Sequence, residues 1–259
     1  MLEILRDKRL LIFDLDGTVA DTESLHWEAY NILLEKQGTH LDEADILRYI
    51  GRPEREIYAD IERDKGIKIN VDEFLTARTA LYLRLTEERG LQPYKYFKEL
   101  LALNGKGVLP PAILLSAQMP YVADAVIKRL GADGFFPDDL RFFAHNGKIT
   151  KRGVLADINA YIGFGEDGKV FSKNPYTRFD AVSISFREAL KGAHASSALS
   201  GSDGIKNFAN EIKNSEAVLF EDAPSVLEFA VANGFYTVGV EHSLNVGKIK
   251  ADVKLTYIL

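Results

Sequence analysis

The chain has 259 residues, 46% of them hydrophobic, which suffices to bury a large core as one domain or as a domain carrying an insert. A formal net charge of −6, with no block of like charge, argues against a nucleic-acid-binding surface, because phosphate backbones are held by clustered Lys and Arg. With no cysteine, disulfides and thiolate metal sites are excluded, so a metal would be held by oxygen or imidazole.

The basic stretch from Met1 to Arg9 is followed by an apolar run that stops at Asp14, too short for export or for crossing a bilayer. A cytoplasmic location with no membrane partner is therefore expected. Leu10 to Phe13 reads as a buried strand, and it ends in Asp14-Leu15-Asp16-Gly17-Thr18. Two carboxylates at the end of a buried strand call for a divalent cation, a positive side chain, or chemistry that uses their charge. Gly17 lets the chain turn sharply away. A strand that simply ends in a solvated Asp turn is the alternative.

An interval of roughly 90 residues separates this strand from the next, far more than a crossover needs, and it reads as helix almost throughout. Helices are predicted to begin near Thr22, Asp42, Pro53 and Val71 and to end near Gly38, Gly66 and Gly90. The expected division is a helical domain over 21–92 and an α/β core made of 1–20 and 93–259. Ala112 to Leu115, Ala217 to Phe220 and Tyr236 to Val240 are further short apolar runs bounded by turn residues. Alternating with helices, they predict a doubly wound, parallel-sheet, Rossmann-like α/β core. In such a sheet the ligand crevice lies beyond the carboxyl ends of the strands, where Asp14, Ser116 and Asp222 each fall.

The segment Phe13 to Glu23 resembles the nucleophile signature of the haloacid dehalogenase-like hydrolases, in their helical-cap branch of phosphatases and β-phosphoglucomutase-like enzymes. That family is similar in needing a hydroxyl after a second strand, then a Lys, then an acidic pair after a later strand. Here Ala112 to Gln118 supplies Ser116, Phe171-Ser172-Lys173-Asn174-Pro175 supplies Lys173, and Val218 to Pro224 supplies Glu221 and Asp222. Asn174 stands where the family usually has Pro, and Lys151 is the second choice for the lysine. The resemblance implies a helical cap inserted after the first strand and closing over the site.

It also implies Asp14 as nucleophile, forming an aspartyl-phosphate, and Asp16 as the acid that protonates the leaving oxygen and then activates water. A cation and Lys173 would keep Asp14 ionised, while Asp16, partly desolvated, carries the proton. Ser116, with the amides of Ala117 and Gln118 at a helix start, would bind the phosphate together with Lys173. Mg2+ is the expected cofactor, on Asp14, Asp222, Glu221 and the Asp16 carbonyl. Glu221-Asp222 would serve equally as a helix cap before Pro224.

His26, Arg52 and Arg55 are candidates to meet the substrate, with Glu23 also near the crevice; surface charge at a helix start is the plain alternative for the arginines. The expected function is an Mg2+-dependent phosphatase acting on a small phosphorylated metabolite. A sugar phosphomutase and a non-catalytic phospho-ligand-binding module are the alternatives. From Ser116 to Lys173 is 57 residues and from Lys173 to Asp222 is 49, so insertions are predicted near Asp138 to Gly168 and near Gly192 to Gly204.

Overall fold

The computed structural model describes residues 2–5, 7–49, 54–144, 149–165, 169–173 and 211–257, without the side chains of Leu2, Glu54 and Arg55. Its centre is a parallel sheet built from β1 (Leu10–Phe13), β2 (Ala112–Ser116), β3 (Arg141–Phe143), β6 (Ala217–Glu221), β7 (Tyr236–His242) and β8 (Val253–Tyr257). They lie in the order β3-β2-β1-β6-β7-β8, and every neighbouring pair is parallel. β4 (Ile162–Phe164) and β5 (Val170–Ser172) form a separate antiparallel pair.

Alternation along the strands divides the core into two layers. Leu11, Phe13, Leu114, Val218, Phe220 and Val238 face one side, whereas Leu10, Ile12, Ile113, Leu115, Ala217 and Leu219 face the other. Helices cover both sides, which is why every residue of β1, β2 and β6 is buried. On the first side pack α6 (Lys95–Leu103), through Phe97 and Leu100, and α7 (Pro120–Arg129), through Val122 and Val126. On the second pack α8 (Lys151–Ala156), through Val154 and Leu155, α9 (Ile158–Tyr161), through Ile158, and α10 (Pro224–Ala232), through Ala230. Phe13 fixes the centre of the first layer, stacked on Phe220 at 4.3 Å and edge-on to Phe97, Phe135 and Phe136.

Between β1 and β2 the chain inserts a helical cap of α2 (Glu23–Glu35), α3 (Glu43–Tyr49), α4 (Glu54–Lys65) and α5 (Val71–Glu88). These helices have a core of their own around Trp27, Tyr30, Leu34, Tyr58, Ile61 and Phe74. α2 and α5 also reach the sheet's first layer, through Ala29, Tyr82 and Leu85. The chain enters and leaves the cap side by side: Ala20 bridges Pro93, and the Tyr94 amide donates to the Val19 carbonyl at 2.9 Å.

The stretch predicted as an insertion from Asp138 is instead largely part of the core, carrying β3, α8, α9 and β4. The region expected to be a loop near Gly192 to Gly204 lies outside the described residues.

Candidate active site

The sheet register brings the acids together. Phe13 is level with Phe220 on β6, so Asp14 and Glu221 leave adjacent strands at the same height, and the Asp14 amide still donates to the Phe220 carbonyl at 3.0 Å. One oxygen from each of Asp14, Glu221 and Asp222 lies within 4.8 Å of the others, and all three residues are buried. Gly17, at φ +70°, turns the loop back over this cluster. A side-chain carbon there would stand 2.6 Å from Asp222 Oδ2, so the turn needs glycine both for its backbone and for close approach.

The lysine of the cluster is Lys151, not Lys173. Its ammonium lies 2.7 Å from Asp14 Oδ1 and 2.9 Å from Glu221 Oε2. Thr150 starts α8 by accepting the Gly153 amide at 2.9 Å, which sets Lys151 at the first helical position facing the acids. Lys173, just after β5, is instead bound to α9, its amide donating to the Tyr161 carbonyl at 2.8 Å and its Nζ to the Asn159 carbonyl at 2.9 Å.

Asp16 is surrounded by donors. Tyr82 Oη donates to its Oδ1 at 3.2 Å and Gln118 Nε2 to its Oδ2 at 3.3 Å. His26 stacks on Tyr82, with rings 3.8 Å apart, and its Nε2 lies 3.5 Å from Asp16 Oδ1. His26 Nδ1 accepts from Arg78 Nη1 at 3.0 Å, and His26 Nε2 also lies 3.2 Å from Gln118 Nε2.

Ser116 is fully buried, and its Oγ accepts the Gln118 amide at 3.0 Å. That amide is therefore already engaged, and α7 starts only at Pro120, two residues later than a helix-start anion pocket at Ala117 and Gln118 requires. Ala117 and Gln118 still line the cavity above the acids, a space of ≈640 Å³. Its cap side is formed by Glu23, His26, Trp27, Tyr30, Tyr49 and Arg78. Arg52 and the side chain of Arg55 lie outside the described residues.

Electrostatics reverse one expectation. The Asp14 pKa is pushed up to about 7 by burial and by the negative charge of Glu221, against the opposing pull of Lys151. Burial would raise Asp16 as well, but hydrogen bonds from His26, Thr22 and Tyr82 hold it below the usual Asp value. Without a cation, the proton expected on Asp16 thus belongs more readily to Asp14. Glu23 is pushed up to about 8 by burial and by the neighbouring charges of Asp222, Asp16 and Asp14. Burial also raises Glu221, with Lys151 opposing. Burial works against the charge of Lys151, but Asp14 and Glu221 more than offset it and keep the ammonium protonated.

Five carboxyl groups and two permanent cations line one cavity. Such an excess of buried negative charge, presented as hard oxygen donors around a common gap, fits a divalent cation of the Mg2+ type.

The sequence model of the haloacid dehalogenase-like hydrolase family matches residues 11–137, the segment that carries Asp14, Asp16 and Ser116. Over this segment, almost half of its length, the chain is similar to the haloacid dehalogenase-like hydrolases. It is similar to protein CbbY, plasmid, of Cupriavidus necator, 33% identical over 135 residues, or 48% of this chain and 53% of that protein. It is also similar to validoxylamine A 7'-phosphate phosphatase of Streptomyces hygroscopicus subsp. limoneus, 30% identical over 125 residues, 48% of this chain and 57% of that enzyme. The match thus spans about half the length of these relatives. Among solved structures, CbbY from Rhodobacter sphaeroides in complex with phosphate superposes with a TM-score of 0.63 at 16% identity, over 96% of this chain and 93% of that one. β-Phosphoglucomutase from Clostridium difficile superposes with a TM-score of 0.55 at 19% identity, over 96% and 90%. At these identities the likeness speaks to the fold.

The sequence reading did not mark Arg78, Tyr82 or His242 as site residues. Arg78 and Tyr82 sit on a helix whose spacing reads as ordinary packing. His242 ends β7, so the strand-end rule that flagged Asp14 and Asp222 applied to it as well.

Proposed function

We propose that the chain is an Mg2+-dependent phosphatase that hydrolyses a small phosphorylated metabolite through a phosphoryl group carried on Asp14. The observation that carries this reading is the packing of Asp14, Glu221 and Asp222 oxygens within 4.8 Å of one another, with the Lys151 ammonium 2.7 Å from Asp14. The names of the relatives, which include a phosphate phosphatase, agree with it.

In this reading Asp14, Asp222 and Glu221 hold the cation with the Asp16 carbonyl, and Mg2+ when bound neutralises charge on the phosphoryl oxygens. Lys151 keeps a fixed positive charge beside Asp14, so the carboxylate can approach an anionic ester. An Asp14 oxygen attacks phosphorus, and the ester oxygen leaves with a proton from Asp16. Asp16 then takes a proton from water as that water displaces phosphate from Asp14. Asp16 must therefore gain its proton on substrate entry, when the cavity closes and the donors around its carboxylate rearrange. The cap, residues 21–92, excludes bulk water during this step and opens for release. Arg78, on the cap side of the cavity, is placed to meet a second anionic or polar group of the substrate.

The test is turnover of 4-nitrophenyl phosphate with and without Mg2+ in the parent and in Asp14→Asn. Mg2+-dependent hydrolysis that is lost in the variant is expected. Metal-independent turnover that survives Asp14→Asn would refute the proposal, and inactivity on a broad panel of phosphate esters would favour a binding role.

A further inference from the structure

We propose that His242 is a positioning residue: together with the Asn245 turn it fixes the carboxylate of Asp222 for the cation. This rests on the metal reading given above. His242 is the last residue of β7 and is almost fully buried. Its Nε2 lies 3.0 Å from Asp222 Oδ2. The other ring nitrogen, Nδ1, accepts the Leu244 amide at 3.4 Å. A ring whose Nδ1 accepts carries its hydrogen on Nε2, so His242 is the donor and Asp222 the acceptor.

The turn after β7 is built around the same purpose. The His242 amide donates to Asn245 Oδ1 at 2.7 Å, and the Asn245 amide returns a bond to the His242 carbonyl at 3.1 Å. Asn245 Nδ2 then donates to the main-chain carbonyl of Asp222 at 2.9 Å and to that of Val240 at 3.0 Å. One turn therefore grips Asp222 twice, at its backbone and at its side chain. On the opposite side, Thr18 Oγ1 donates to Asp222 Oδ1 at 3.3 Å. These two donors occupy about two of the four acceptor positions of the carboxylate, leaving lone pairs on both oxygens for a cation.

Packing shows that the imidazole is fitted to this place. A side-chain carbon at Gly17 would lie 3.0 Å from His242 Nε2 and 2.6 Å from Asp222 Oδ2, so the nucleophile loop, the acid and the ring form one tight contact. A ligand carboxylate held by a histidine N–H keeps its orientation toward the cation. Outer partners of this kind typically change metal affinity 10–100-fold when removed.

The experiment measures Mg2+ affinity by titration calorimetry on the full chain, without substrate, for the parent, His242→Leu and His242→Gln. The dissociation constant should rise about 10–100-fold in His242→Leu and stay within about threefold in His242→Gln, whose amide N–H can reach Asp222. In the metal-free parent, long-range proton–nitrogen spectra should show His242 protonated on Nε2 and bare on Nδ1. Unchanged Mg2+ affinity in His242→Leu would overturn the proposal. An equal loss in Leu and Gln would also overturn it, since it would make ring packing the cause. If His242→Leu does not fold, His242→Asn takes its place: an amide too short to reach Asp222 should lose affinity where Gln retains it, and equal affinities would refute. If the parent itself shows no saturable Mg2+ binding, the metal reading falls and this inference with it.

Discussion

Replacing Asp14 by Asn should make the metal-free protein more stable while removing the group that attacks phosphorus. The pKa of Asp14 is about 7 in the fold against an ordinary 3.8, because burial and Glu221 disfavour its charge. An acid whose folded value is raised costs stability once the pH exceeds its unfolded value, and the cost grows until the pH passes the folded value. An uncharged isostere escapes that cost, so by linkage the gain in Asp14→Asn is about 2 kcal/mol at pH 5 and about 4 kcal/mol at pH 8. The assay is urea unfolding of parent and variant at both pH values in excess chelator, analysed as two-state transitions. Added Mg2+ should narrow the difference at pH 8, because binding to the folded parent stabilises it by mass action. A variant no more stable than the parent at pH 8, or a gain that shrinks as the pH rises, would refute the reasoning.

The two lysines separate cleanly. Lys151→Met should lower kcat/KM for an aryl phosphate by at least about 100-fold, the scale of losing one preorganised charge at a reacting centre, whereas Lys173→Met should leave it nearly unchanged; steady-state kinetics on both variants decides. Gly17→Ala should lower the metal-free melting temperature, since its φ of +70° costs a non-glycine residue about 1–2 kcal/mol and the added carbon meets Asp222 at 2.6 Å. The same variant should bind Mg2+ more weakly by calorimetry, and parent-like values for both quantities would show that the loop has room to spare.

Much of the architecture could be read from local pattern. The runs at β1, β2, β6 and β7 are apolar on both faces because helices cover both sides, and such runs stand out against amphipathic neighbours. The starts of α2, α3 and α5 fell within a residue of Thr22, Asp42 and Val71; at α3 and α5 local side chains mark the start, Asp42 accepting the Asp45 amide and Asn70 the Glu73 amide. Asp14, Glu221 and Asp222 were legible because each ends such a strand, and a parallel sheet gathers strand ends at one edge.

What escaped depended on tertiary contact. Lys151 and Lys173 both follow a hydroxyl residue, and only the path of α8 shows which ammonium meets Asp14. Counting outward from Lys173 stretched the spacings and made β3 and α8 look like an insertion. The protonation order of Asp14 and Asp16 was likewise hidden, because it turns on the burial of Asp14 beside Glu221 and on the donors around Asp16, His26 and Thr22 among them and Tyr82 from 66 residues away.

The most direct measurement is the location of the phosphoryl group during turnover. Acid quenching of the protein while it processes a radiolabelled phosphate ester in Mg2+, followed by proteolysis, should place the label on the peptide carrying Asp14, in a form released by hydroxylamine. Sustained turnover with no labelled peptide, or with the label on any other residue, would contradict a covalent role for Asp14.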